Sequence, residues 1–310
     1  MKTLLIDGNN AFWRIANGLP DLTVDGKPVQ VVYGFMKLLR GLLEDFEPDK
    51  AIIFWDSGKP EYRMKLFSGY KASRYLRREE ASRKEKEKRK QAVAQLETVK
   101  KLLPLLGVYQ VSRENTEADD LIAVASRMSD LGLRVIVSGD QDFLQLVKRH
   151  VRVFMPSRNQ LYRHTTFEKL IGLTPTQWLE YRILTGDSSD EIPSVVSGFG
   201  EKTALELLRE YETIGNLLKN DVRKKVEQMG ARFAKFYSPG VAENISRNYR
   251  LMRLDWIPQE SKLRNCIRKE LAGDIHLRKT RIQQEFRKRR FVSLLANFNN
   301  WLIPFKGLGT

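Results

Sequence analysis

The sequence predicts an α/β fold: a parallel central sheet with helices on both faces, followed by a helical region. Three short apolar, β-branched runs carry the prediction, namely Lys2-Thr3-Leu4-Leu5-Ile6-Asp7, Ala51-Ile52-Ile53-Phe54-Trp55-Asp56 and Arg134-Val135-Ile136-Val137-Ser138-Gly139-Asp140. Long stretches of helical character separate them, and strand, helix, strand in that order makes the strands parallel and buried. Each run ends on aspartate. In open α/β sheets ligands bind outside the carboxyl ends of the strands, so these acids are expected to share one edge. Carboxylates so close repel and raise each other's pKa unless a cation neutralises them. A hard divalent metal does this, and the pattern points to a magnesium site.

Along the chain, Gly8-Asn9-Asn10 reads as a turn after the first strand, with a helix from Ala11. Residues 31–46 place Val32, Phe35, Leu38, Leu39, Leu42, Leu43 and Phe46 at helical spacing, and Pro48 stops that helix before the second strand. Residues 61–101 differ in kind, being rich in cations such as Arg63, Lys65, Lys71, Arg74 and Arg83. From Ser82 to Glu97 the composition favours helix but offers almost no apolar face before Val93. Two readings stay open for this stretch. One is a solvated helix with intrahelical ion pairs; the other is a positively charged arm closing over single-stranded nucleic acid, with Phe67, Tyr70 and Tyr75 offering rings for base stacking.

Thr116 has the chemistry of an N-cap, which sets Glu117, Asp119 and Asp120 in a first helical turn, where the helix dipole favours acids. Their position just before the third strand also fits a shared site. Asp140-Gln141-Asp142 follows that strand, and the chain turns helical from 166–171 onward. Thr174-Pro175-Thr176-Gln177 starts a helix that stops at Gly186-Asp187-Ser188-Ser189-Asp190. Gly198-Phe199-Gly200-Glu201-Lys202-Thr203-Ala204 then forms a glycine hairpin opening a new helix, where backbone can approach a phosphate and helix N-terminal amides face it. A basic run at 287–290 precedes an apolar segment at 291–305, read either as a core element returning to the first domain or as a docking segment for a replication partner.

Composition narrows the partner. Lys+Arg number 54 against 38 Asp+Glu, a net charge of +16 with a pI near 9.8, which suits a polyanion. Acids concentrated at strand ends inside a positive field are what a nuclease requires: cations hold phosphates while carboxylates hold metal. The single cysteine, Cys266, excludes a disulfide framework and a multi-thiolate zinc site. His150, His164 and His276 are scattered without ligand spacing, which argues against zinc or histidine-based hydrolysis. The first apolar run is cut at Asp7 and has no cleavage-site pattern, and no stretch reaches membrane-spanning length. The expectation is a soluble, cytoplasmic protein without membrane contact.

Taken in order, these motifs resemble the 5′-nuclease family of flap endonucleases, phage-type 5′-to-3′ exonucleases and the nuclease domain of bacterial DNA polymerase I. The resemblance runs to about residue 215 and implies a PIN-like α/β nuclease domain at 1–180, with a basic helical arch at about 62–101. A helical DNA-binding region at 181–310 would carry a helix-hairpin-helix at about 186–210. Carried over residue by residue, it implies that Asp7, Asp56, Glu117 and Asp119 serve a first magnesium or manganese ion, with Asp140 shared. Asp142, Asp187 and Asp190 would serve a second ion, and Asp120 would act through an outer-sphere water. Lys71 and Arg74 would contact the scissile phosphate, Tyr70 would lie with them on the DNA, and Gly198, Gly200, Lys202 and Thr203 would grip the duplex. A potassium ion held by hairpin carbonyls belongs to the same implication.

The activity so implied is cleavage of 5′ flaps and 5′ ends of DNA, extending to RNA in RNA–DNA hybrids, by a monomer working with replication proteins. The alternatives are a PIN-type metal-dependent ribonuclease and a non-catalytic DNA-binding protein. Two departures stand out. Asp190-Glu191-Ile192-Pro193-Ser194 replaces the family's more usual Asp-Asn-Ile-Pro-Gly, putting an extra acid and a side chain at the turn, and the expectation is of a nuclease without the polymerase part of the full polymerase I architecture.

Overall fold

The fold is described from a computed structural model, which describes residues 1–308 except the side chains of 75–78; the stacking role expected of Tyr75 lies outside the described residues. The chain opens with β1 (Lys2–Asp7), α1 (Gly8–Gly18), a short ribbon of β2 (Thr23–Val24) and β3 (Lys27–Pro28), α2 (Gln30–Phe46) and β4 (Lys50–Trp55). Next come α3 (Glu61–Leu66), α4 (Ala72–Glu80), α5 (Arg83–Leu102), β5 (Tyr109–Ser112), α6 (Ala118–Ser126), β6 (Leu133–Val137), β7 (Val151–Met155) and β8 (Gln160–Tyr162). The main sheet has six strands in the order β5-β4-β1-β6-β7-β8, parallel except where β8 pairs antiparallel with β7.

β1 lies at the centre of the acid-bearing strands because it pairs with β4 on one side and β6 on the other. Both faces are covered, which explains the unbroken apolar runs. Leu4, Ile6, Ile53 and Val135 face one apolar cluster with α1 and α2, while Leu5, Ile52 and Ile136 face another built on α6. Sequence reading missed β5, β7 and β8, which carry none of the strand-end aspartates.

Several local expectations change. Gly8-Asn9-Asn10 is the first turn of α1, capped by Asp7, whose Oδ1 accepts from the Asn10 amide at 2.9 Å. The third run stops pairing at Val137, so Asp140 stands on the loop beyond β6. Glu117, not Thr116, occupies the cap position of α6, and the Thr116 hydroxyl donates to the Glu114 carbonyl instead. In α5, a Ser82–Glu85 capping box starts the helix; its later turns bury Ala92, Gln95, Val99 and Leu102, while Val93 is exposed. This helix is solvated at its start, as the first of the two readings of the charged stretch has it, and is packed on α2 at its end.

The remaining chain is helical: α7 (Phe167–Ile171), α8 (Pro175–Thr185), α9 (Glu201–Tyr211), α10 (Ile214–Leu217), α11 (Asn220–Gln228), α12 (Ala231–Ala234), α13 (Val241–Met252), α14 (Glu260–Leu271) and α15 (Lys279–Lys288) precede short C-terminal turns. The Thr174–Gln177 capping box with Pro175 in the first turn starts α8 as its sequence predicts. Phe291, Leu294, Phe298, Trp301 and Phe305 are buried in the cluster that contains β1, β4 and α2. The C-terminal apolar segment is therefore the returning core element of the two readings. Among the described residues no helix is long and apolar enough to cross a membrane.

Candidate active site

The floor is set by strand ends and one helix start. The Asp7 carboxylate accepts from the Asn10 amide and, at 2.8 Å, from the Ser138 hydroxyl just past β6. Asn10 Oδ1 accepts from the Gly139 amide at 2.9 Å, bracing the same two chain segments. Asp56, immediately after β4, accepts from the Ala118 amide at 2.8 Å and so ties that strand to the start of α6. This brings Glu117 and Asp119 over the sheet edge. Asp140 Oδ1 accepts from the Asp142 amide at 2.8 Å and orders the turn that carries both acids.

These groups feel one another. Burial pushes Asp7 up to about 7, with Asp56 and Asp140 adding to the rise. Burial and then Asp140 likewise push Asp142 up to about 7. Asp119 is held well above the usual carboxylate range by burial, with Asp140, Asp7 and Glu117 contributing, and burial raises Asp56 and Asp140 as well. Among the described residues no lysine or arginine forms an ion pair with Asp7, Asp56, Asp119 or Asp140, which leaves the centre short of positive charge.

Cations occupy the margin. Arg63, counted in the basic arm by sequence, is buried: Nη1 donates to Glu117 at 2.7 Å, Nη2 to Asp120 at 2.7 Å and Nε to the Leu251 carbonyl at 3.0 Å. Asp120 is thus turned onto Arg63. Lys71 pairs with Glu117 and lies 3.5 Å from Asp190, which Arg74 Nη2 contacts at 2.6 Å. Burial alone would raise Glu117, but Arg63 and Lys71 outweigh it and hold this carboxyl low. Tyr70 is only 3 % exposed; its hydroxyl reaches Glu117 and Asp190, and Lys71 Nζ sits 4.8 Å from the ring centre. Its ring is therefore closed to bases, contrary to the stacking role expected for it.

Arg182, on α8, is a site residue that sequence reading passed over. Its Nε donates to Asp142 at 2.8 Å and its Nη2 to Asp187 at 2.5 Å. Its spacing of five residues before Asp187 was the available signal, but a lone arginine on an otherwise ordinary helix carries no such meaning by itself.

The loop after α8 turns sharply at Gly186, whose φ is +74°; a Cβ there would lie 2.3 Å from the Ile192 carbonyl oxygen. Paired amide and carbonyl groups of Asp187 and Ile192 close the loop, so Asp187 and Asp190 face the cluster. Glu191, the unusual acid of this loop, caps α4: its carboxylate accepts from the Ser73 amide at 2.8 and 2.9 Å and from the Ser73 hydroxyl. The Lys71 amide donates to the Asp190 carbonyl at 3.1 Å, a second tie between the same segments.

At the hairpin, Gly198 has φ +79° and Gly200 precedes α9; both are exposed, while Phe199 is buried against Phe236. Lys202 is exposed beside this turn, whereas Thr203 is buried and offers no outward face.

All of the acids expected from sequence thus belong to one electrostatic cluster at the carboxyl edge. Among the described residues no three of them gather as a ready ligand cage, because the marginal acids turn onto Arg63, Lys71, Arg74 and Arg182. The all-oxygen donor set, with buried carboxyls forced toward neutrality, fits hard divalent cations better than any softer metal.

A phosphodiester-cleaving nuclease is the class of protein that an acidic sheet edge with a cationic margin, on a strongly basic chain, defines. The chain belongs to the 5′-3′ exonuclease family: the family's N-terminal resolvase-like domain matches residues 2–172 and its C-terminal SAM fold matches residues 173–272. It is 34 % identical to the thermostable DNA polymerase I of Thermus aquaticus over 95 % of this chain and 32 % of that protein. It spans about a quarter to a third of the length of the polymerases it resembles. A 5′-3′ exonuclease of Aquifex aeolicus is 29 % identical, over 89 % of this chain and 96 % of its own. In fold it resembles a bacteriophage T5 flap endonuclease solved with DNA and metal ions, with a TM-score of 0.68, 18 % identity and coverage of 89 % of this chain and 95 % of that one. The catalytic core of Rad2 in complex with a DNA substrate gives 0.55 at 16 % identity, covering 98 % of this chain and 92 % of that one.

Proposed function

We propose that this chain is a metal-dependent, structure-specific 5′ nuclease that cuts 5′ flaps endonucleolytically and 5′ ends exonucleolytically. The observation that carries this reading is the convergence of strand-end, helix-start and loop acids on one edge, bordered by Lys71 and Arg74. Asp7, Asp56, Glu117, Asp119 and Asp140 would hold one magnesium or manganese ion, and Asp142, Asp187 and Asp190 a second, with Asp120 acting at a distance beside Arg63. Such a pair of ions supplies an activated water and stabilises the leaving oxygen of an in-line displacement.

The protein's own groups do the rest. Lys71 and Arg74 converge on Asp190 at the cleft mouth, and a phosphodiester entering there replaces that carboxylate as their partner and has its developing charge offset. The exposed hairpin at Gly198 and Gly200, with Lys202, receives the duplex backbone, and its carbonyls provide a place for potassium. RNA in RNA–DNA hybrids as a further substrate, a monomeric state, replication proteins as partners and a cytoplasmic location complete the proposal.

A labelled 5′-flap duplex incubated with magnesium, calcium or chelator tests it. Product released at or next to the junction with magnesium alone is the expected result, and absence of any metal-dependent product refutes the reading.

A further inference from the structure

The helix α13 carries a surface that the acid cluster does not use. Arg247, Arg250 and Arg253 fall three residues apart, which steps along one side of a helix and its C-terminal cap. Aromatic rings interleave with them. The Arg247 guanidinium lies 5.3 Å from the Phe67 ring centre, and Arg253 lies 4.5 Å from Tyr249 and 5.7 Å from Trp256. Among the described residues the exposed aromatic side chains are Tyr249 and Trp256, at 37 % and 50 %.

The opposite side of α13 is fixed to the acid cluster. Asn248 Nδ2 donates to the carbonyls of Ile183 on α8 and Pro193 on the loop that bears Asp190, at 2.9 and 2.8 Å. The Leu251 carbonyl accepts from Arg63, which holds Glu117 and Asp120. At the end of the helix and just past it, Gln145 and Arg127 clamp the backbone of Met252 and Leu254. A rigid helix therefore presents rings and arginines outward while its inner side braces both halves of the site.

We infer that this face is a stacking track for the single-stranded 5′ segment of the substrate, a reading that rests on the proposed nuclease function and names where the unpaired strand lies. Tyr249 and Trp256 take base faces, because stacking on an aromatic ring is available to every base and needs no sequence. Arg247 and Arg250 take phosphates. The side-chain hydrogen bonds of Arg247 go to the neutral amides Asn244 and Asn248, so its charge is uncompensated; Arg253, beside both rings, is paired with Asp255 instead. Aromatic and arginine side chains also mark protein contacts. The charge of +16 selects a polyanion over a neutral protein face here.

Fluorescence anisotropy in calcium, with a flap-bearing duplex and a blunt duplex of the same paired sequence, tests the track. Tyr249→Ala and Trp256→Ala should each weaken flap-duplex binding about tenfold and leave blunt-duplex binding unchanged, with Trp256→Phe close to wild type. Arg247→Gln combined with Arg250→Gln should lower both flap affinity and its salt dependence. Flap affinity unaltered in both alanine variants, or an equal loss on the blunt duplex, overturns the inference and assigns the face to a protein contact or to packing. Thermal midpoints of the variants exclude unfolding, and Tyr249→Ala decides if Trp256→Ala fails to fold. Wild-type protein that shows the flap-dependent shifts yet never cleaves a flap would refute the nuclease reading while leaving the track standing.

Discussion

Arg182 Nε donates to Asp142 Oδ1 at 2.8 Å, and through its Nη2 contact with Asp187 the same guanidinium joins the turn after β6 to the loop after α8. Burial works against the arginine's charge, but Asp142 and Asp187 more than offset it and keep the cation firmly protonated. A positive side chain thus stands between the carboxylates proposed for a second ion.

Replacing it with a neutral residue of similar length, Arg182→Met, leaves two partly buried acids unpaired. Breaking such a pair costs about 3–5 kcal/mol. The chelator-treated variant should melt several degrees lower than wild type, and magnesium should restore more of its thermal midpoint than it adds to wild type. An equal magnesium shift in the two proteins would show that Arg182 does not compete with metal.

Asp142→Asn removes one charge from the cluster while keeping the side-chain volume. Cleavage in magnesium should fall by on the order of 10³-fold with duplex affinity retained, since the loss is confined to the charged transition state. Single-turnover kinetics beside equilibrium binding separates the two, and retained cleavage would remove Asp142 from the proposed site.

Glu191→Ala deletes the cap of α4. Loss of an N-terminal cap costs about 1 kcal/mol, felt locally. Hydrogen exchange at the first-turn amides of α4 should accelerate while the sheet stays protected. Cleavage should fall with it, because Lys71 and Arg74 flank that turn. Unchanged exchange would mean that Ser73 finds another acceptor.

The stability of metal-free protein should depend on pH in a direction set by the central acids. Asp7 and Asp142 hold their protons to about 7 when folded, against an ordinary 3.8, so the native state binds more protons than the unfolded chain between those values. Their contribution is present at low pH and lost as pH rises toward 7. Glu117 and Asp187 act oppositely: burial opposes their charge, but Arg63 with Lys71, and Arg182 with Ser189, hold them low, so their contribution is lost only as pH falls below the ordinary carboxylate range. With chelator, the thermal midpoint should therefore drop from about pH 5 to about pH 8, and magnesium should raise it most at the alkaline end. A midpoint that rises across this interval would contradict the buried-acid picture.

The acid cluster was legible in sequence because strand ends in a parallel sheet lie at one edge by topology, so Asp7 and Asp56 meet whatever else the chain does. Placement just before the third strand already drew in Glu117 and Asp119, and family resemblance extended the set to Asp142, Asp187 and Asp190, whose motifs are short and local. β5, β7 and β8 were missed since none of them ends in an acid or carries a motif. The burial of Tyr70 was not legible because an aromatic beside two cations reads the same whether its ring faces solvent or its hydroxyl turns inward onto Glu117.

The sequence by itself determined the α/β class, the parallel strands and the residues that gather at their ends, because hydrophobic period and short motifs are local properties. Only the tertiary structure decided which cation meets which acid. Arg63 on Asp120, Arg182 on Asp142, and Glu191 on the start of α4 are contacts between segments far apart in the chain. Such pairings depend on how helices dock on the sheet, and the sequence separation of the partners leaves no periodic trace of them.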